Sequence, residues 1–253
     1  MKIKGSNPCA PLLGRLSLPV GLELYILSKS KDLGCEDHIP GSLKNLRNLS
    51  NFTTVRLRFC NITIAEFFGP SGHFTMNMER SGVAMSVILD YMARFGSSMV
   101  QRLGIIGSGP LDVDAVHQAL LGMQDLCALT LSKWDNQYTL IGVMSPQPGS
   151  SSAVIWPNLE ELVFHPRRNE ARFAIRCVIG MAASRASRGA GLKTIRVSKE
   201  LDIFDPEDLS ELKKHVPHVE YGLGRFLSLT PGEWAVFVYG VPILNFSSEQ
   251  LPV

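Results

Sequence analysis

The stretch WPNLEELVFHPRRNEARFAIRCVIGMAASRASRGAGLKTIRV (Trp156 to Val197) decides the fold. Near its start Leu159, Leu162 and Phe164 put apolar side chains at the first, fourth and sixth places of a short run, and Leu192, Ile195 and Val197 repeat that triplet at its end. Between them, Glu170 to Ser187 carries Phe173, Cys177, Val178 and Met181 at helical spacing. The spacing predicts a helix with those four inward and with Arg172, Arg176 and Arg185 in water. Gly189 and Gly191 follow it, and either can supply a left-handed stop. Strand, helix and strand on such short turns predict parallel strands joined by a right-handed crossover, since an antiparallel pair needs no helix between its members.

Working outward, the triplet occurs seven times. The other five are Leu13, Leu16, Leu18; Phe52, Val55, Leu57; Val100, Leu103, Ile105; Leu126, Leu129, Leu131; and Val216, Val219, Tyr221. The seven starts lie 39, 48, 26, 33, 33 and 24 residues apart, a loose period of the kind leucine-rich-repeat solenoids show. With 45% apolar residues, three chosen positions are all apolar in roughly 9% of windows, so the triplet needs its context. That context is alternation with helices. Val83, Val87, Ile88, Tyr91 and Phe95 form one stripe, and Val113, Val116, Leu120 and Met123 form a second behind a cap at Asp112. A last helix starts at Asp205, with Pro206 first, Glu207 and Asp208 in its opening turn, and Lys213, Lys214 and His215 at its end. Its apolar face is Leu209, Leu212 and Val216. Ser145 to Ser152 (SPQPGSSS) reads as a loop. The expected fold is α/β, an irregular leucine-rich-repeat-like solenoid of parallel strands alternating with helices. It forms one domain over residues 1–222 with its core at 83–221, and an apolar tail follows at 223–253, either a capping hairpin or an unmatched extension.

Composition narrows the function classes. There are 25 Lys and Arg against 23 Asp and Glu, a formal charge of +2, which argues against nucleic acid and anionic membranes as partners. No run reaches the roughly 18 apolar residues of a membrane span, and no secretory signal opens the chain. The five cysteines are an odd, widely spread set, expected to be reduced. The expected compartment is intracellular, cytoplasmic or nuclear.

At WPNLEELVF (Trp156 to Phe164), ASRASRGAGLKTIRV (Ala183 to Val197) and DLSELKKHVPHVEY (Asp208 to Tyr221), the sequence resembles the repeat-bearing C-terminal half of F-box proteins from mushroom-forming fungi. The resemblance covers about residues 10 to 222. It implies the substrate-binding arm of a ubiquitin ligase receptor. SLPVGLELYIL (Ser17 to Leu27) is similar to an F-box opening, but the second helical half with its Cys and Trp is absent. No ligase adaptor is therefore expected to bind. Only Phe52, Val55, Leu57, Cys60 and Ile62 match the full repeat with its ninth-position rung; Trp134, Arg167 and Glu200 depart from it.

Catalytic and cofactor motifs do not assemble. Gly104, Gly107 and Gly109 lack the dinucleotide and Walker spacings, and Asp112 and Asp114 put negative charge where a phosphate would sit. Cys35 with His38, and His215 with His218, supply too few zinc ligands at finger spacing. No nucleophile elbow is present. A non-catalytic recognition scaffold without metal or cofactor is the expectation; the alternatives are a truncated, non-functional relative and an enzyme of unknown class. The positions flanking the buried ones of each strand are rich in arginine: Arg15, Arg56, Arg58, Arg102 and Arg196, with His165 and His218 beside them, against Glu161 and Glu220. In a parallel array they line up as one surface. Arginine suits bidentate carboxylates and phosphates, so the expected partner is a protein or peptide, acidic or phosphorylated, bound through Arg15, Arg56, Arg58, Arg102, His165 and Arg196.

Overall fold

The computed structural model describes residues 2–5, 23–28, 52–59, 63–70, 72–78, 100–107, 121–132, 137–145, 154–166, 171–197 and 205–221. Among them are the strands β1 (Lys2–Gly5), β2 (Glu23–Ser28), β3 (Thr54–Phe59), β4 (Thr63–Gly69), β5 (Gly72–Met78), β6 (Arg102–Gly107), β7 (Ala128–Ser132), β8 (Glu161–His165), β9 (Thr194–Val197) and β10 (His218–Tyr221). They form one open sheet in the order β1-β2-β5-β4-β3-β6-β7-β8-β9-β10. Helices α1 (Gln137–Met144), α2 (Ala171–Ala186) and α3 (Pro206–His215) stand between β7 and β8, β8 and β9, and β9 and β10.

From β3 through β6 to β10 every pairing is parallel and in one register. Val55, Leu103, Leu129, Leu162, Ile195 and Val219 stand side by side, and so do Leu57, Ile105, Leu131, Phe164, Val197 and Tyr221. Six of the seven triplets thus become neighbouring rungs; the seventh, at Leu13, lies outside the described residues. Leu57, Ile105, Leu131 and Phe164 are 0% exposed, and burying each stabilises by about 1.5–3 kcal/mol before entropy is charged. Leu140, Ile141 and Met144 of α1 and Ala174, Ile175, Val178, Met181 and Ala182 of α2 join the same core. Side-chain alternation leaves the intervening strand positions on the opposite face.

The helix read over Glu170 to Ser187 is α2, and it ends as its glycines require. Gly189 has φ +71, its N–H reaches the Ala186 carbonyl at 3.1 Å, and the Ala190 N–H reaches the Arg185 carbonyl at 3.0 Å. These two bonds form a Schellman stop. The helix face, however, is corrected: Phe173 is 62% exposed, whereas Arg185 is fully buried. α3 starts after Asp205 with Pro206 in its first turn and buries Leu212 and Val216; the Asp205 side chain makes no cap hydrogen bond.

The all-parallel array is corrected at β4, which pairs antiparallel with both β3 and β5. The chain after β3 turns straight back instead of crossing over through a helix, and β4 then meets β5 across the short connection between Gly69 and Gly72, with His73 to Met78 alternating polar and apolar. Phe67 anchors the insertion, its ring 5.0 Å from Phe52 and 5.5 Å from Phe74. The helix read over Val83 to Phe95, most of the second one behind Asp112, and the tail lie outside the described residues.

Candidate recognition face

Opposite the helices, register sets Arg102 on β6 in line with Ala128, Glu161, Thr194 and His218, and sets Arg196 on β9 between Val163 and Glu220. A charge ladder results. Arg196 donates from Nε to Glu220 Oε2 at 2.8 Å and from a terminal nitrogen to Glu161 Oε1. Arg102 approaches the other Glu161 oxygen at 3.8 Å, reaching across β7 where only the small Ala128 intervenes. These side chains are partly exposed, from 20% at Glu161 to 50% at Glu220, so each pair contributes about 1 kcal/mol, and its value lies in fixing where the charges sit. Beside the ladder, burial pushes the Cys127 thiol up, with Arg102 opposing, and its Sγ–H donates to the Gln101 carbonyl at 3.2 Å.

The arginines singled out in the sequence divide into groups. Arg102 and Arg196 come together on this face. Arg56 does not reach solvent: it is 5% exposed, ion-paired to Glu66 at 3.4 Å, with its guanidinium 4.8 Å from the centre of the Phe68 ring. The β4 insertion sets Glu66 directly opposite it, and Gly104 on the other side leaves room for its stem. His165 is also buried, 6% exposed at the carboxyl end of β8, beside Ser132. Arg58 lies on β3, but its side chain, like the whole of Arg15, is outside the described residues. Sequence reading noted Glu161 and Glu220 only as a minority of opposite charge. Their role as the partners of Arg102 and Arg196 follows from register, which the aligned triplets already encode.

Among the described residues no three or more His, Cys, Asp or Glu side chains group as a metal site, and no helix is long and apolar enough to cross a membrane. No protein-family model, curated protein or solved structure matches this chain.

Proposed function

We propose that this protein is a non-catalytic recognition scaffold that binds another protein through the polar face of β6 to β10, its strands and helices forming an irregular leucine-rich-repeat-like solenoid. The observation that carries the reading is the partly exposed ladder of Arg102, Glu161, Arg196 and Glu220 on a face without a helix among the described residues. Charged groups held by neighbours across parallel strands form a preorganised surface, and preorganisation cuts the ordering cost of association. The resemblance to fungal F-box proteins supplies the most concrete version: the scaffold is the substrate-binding arm of a ubiquitin ligase receptor.

Affinity capture from native cell extract tests this, with the wild-type chain and a Thr130→Trp/Thr194→Trp variant run in parallel. The two tryptophans obstruct the face without altering its charge. A partner retained by the wild type and lost by the variant supports the reading; one retained equally by both sinks it. Scoring ligase adaptor and substrate separately decides the ligase version, for which a substrate without adaptor is the expected result.

A further inference from the structure

The two ends of the ladder are not equivalent. Arg196, in its middle, is held by two carboxylates. Glu161 is drawn into direct hydrogen bonding with Arg196, and so it leaves Arg102 at 3.8 Å, beyond hydrogen-bond reach. The Arg102 side chain, 42% exposed, makes no hydrogen bond among the described residues. At the other end, Glu220 is 50% exposed and accepts only through Oε2 among the described residues. The centre is therefore neutralised internally. A cation with open donors stands on β6, and an anion with an open oxygen stands on β10.

We infer that this face docks a segment of a partner protein that crosses the strands with a carboxylate side chain over Arg102 and a cationic side chain over Glu220. This rests on the recognition reading above and narrows its ligand. Four strand spacings separate β6 from β10, about 19 Å, which an extended segment covers in about six residues. Arginine with open donors takes a carboxylate bidentately. A wholly acidic segment meets repulsion at Glu220 and a wholly basic one at Arg102, so both ends contribute to discrimination. Ala128 and Thr194 in the row of Arg102 keep its floor low, and Val163 beside Arg196 offers apolar contact between the two charged ends.

A displayed library of random segments of about a dozen residues, panned in parallel against the wild-type chain and against Arg102→Glu, Arg102→Ala and Glu220→Arg, tests the inference. On the wild type, segments carrying one acidic and one basic residue about six apart should be enriched about ten-fold over like-charged ones, equivalent to about 1.4 kcal/mol. Arg102→Glu should shift the enriched set to two basic residues, and Glu220→Arg to two acidic ones. Arg102→Ala should drop the acidic requirement and keep the basic one. Both sites of change are on the surface, and matching thermal melts establish that each of the three variants is folded. The same enriched set on all four proteins, or no charge-paired enrichment on the wild type, overturns the inference. Failure here is separable from failure of the scaffold reading: a captured partner that is lost on the double tryptophan variant but kept by Arg102→Glu leaves the face as the binding surface and removes only the charge pattern.

Discussion

Arg185 is the side chain on which two segments converge. Its Nε donates to the Ala190 carbonyl at 3.1 Å, and its terminal nitrogens donate to Ile155 and Trp156 at 2.8 Å each, tying the end of α2 to the turn that launches β8. Trp156 is buried there at φ 51, a left-handed conformation costly for a side chain of its size. Burial lowers the Arg185 pKa to about 10, so it remains charged at neutral pH and its fork stays a full set of donors. Replacing it with Leu leaves the Ile155 and Ala190 carbonyls without these donors. Arg185→Leu should cost about 3 kcal/mol, read as a lower urea midpoint at unchanged slope. Gln137 is the opposite case. It is 0% exposed in the core-facing stripe of α1, and neither amide atom has a hydrogen-bond partner among the described residues. Gln137→Leu should raise stability by about 1 kcal/mol in the same measurement, because an unpaired buried amide costs more than the alkyl group that replaces it. Neither role was legible in the sequence. The buried stripe Ala174, Val178, Met181 includes position 185 by its spacing, but hydrophobic pattern alone sends an arginine to water, and only the carbonyls at 155, 156 and 190 retain it inside.

Among the elements, α3 was the most legible, since its end chemistry is local. Pro206 opens it, acidic residues fill its first turn and basic ones its last, an order that suits the helix dipole. Lys214 and, secondarily, His215 hold the Glu211 carboxyl below its usual range. A carboxyl with a lowered folded pKa stabilises above its unfolded value, near 4.5, and that contribution is lost as pH falls through the lower folded value. The side chain is 45% exposed and screened by water, so the effect is small. Glu211→Gln should lower the melting temperature by about 1 °C at pH 7, and by progressively less as the pH falls below about 4.5. The β4 and β5 hairpin was the least legible element: its Gly and Pro turn and the alternating His73 to Met78 are present in the sequence, but Thr63 to Phe68 does not alternate. A repeat read from β3 onward predicts a crossover after Cys60, and the local hairpin signal at Gly69 to Gly72 overrides it. That override also relocates Arg56, because Glu66 reaches it only across an antiparallel pair.

At the scale of the molecule, one core runs from Phe67 and Phe74 in the hairpin to Ile195 and Val197 near the far edge, with residues from all three helices in it. A shared core predicts one cooperative transition over the described residues. Tryptophan fluorescence, with Trp156 as a buried probe, and far-ultraviolet circular dichroism should report the same urea midpoint. Phe67→Ala should move both midpoints together and cost about 3–5 kcal/mol. Separation of the two signals would show that the hairpin end unfolds independently.

By itself the sequence determined which side chains become the rungs of the parallel sheet, where α2 and α3 run, and which alternating positions lie opposite the core. These follow from period and local end chemistry, which neighbouring residues along the chain carry. Tertiary structure alone decided which charges on that opposite face are open. Whether an arginine meets solvent, a glutamate or a ring depends on the strand beside it, and hydrophobic period is blind to that neighbour: β4 buries Arg56 against Glu66, while β8 and β10 hold Arg196 and leave Arg102 with donors to offer.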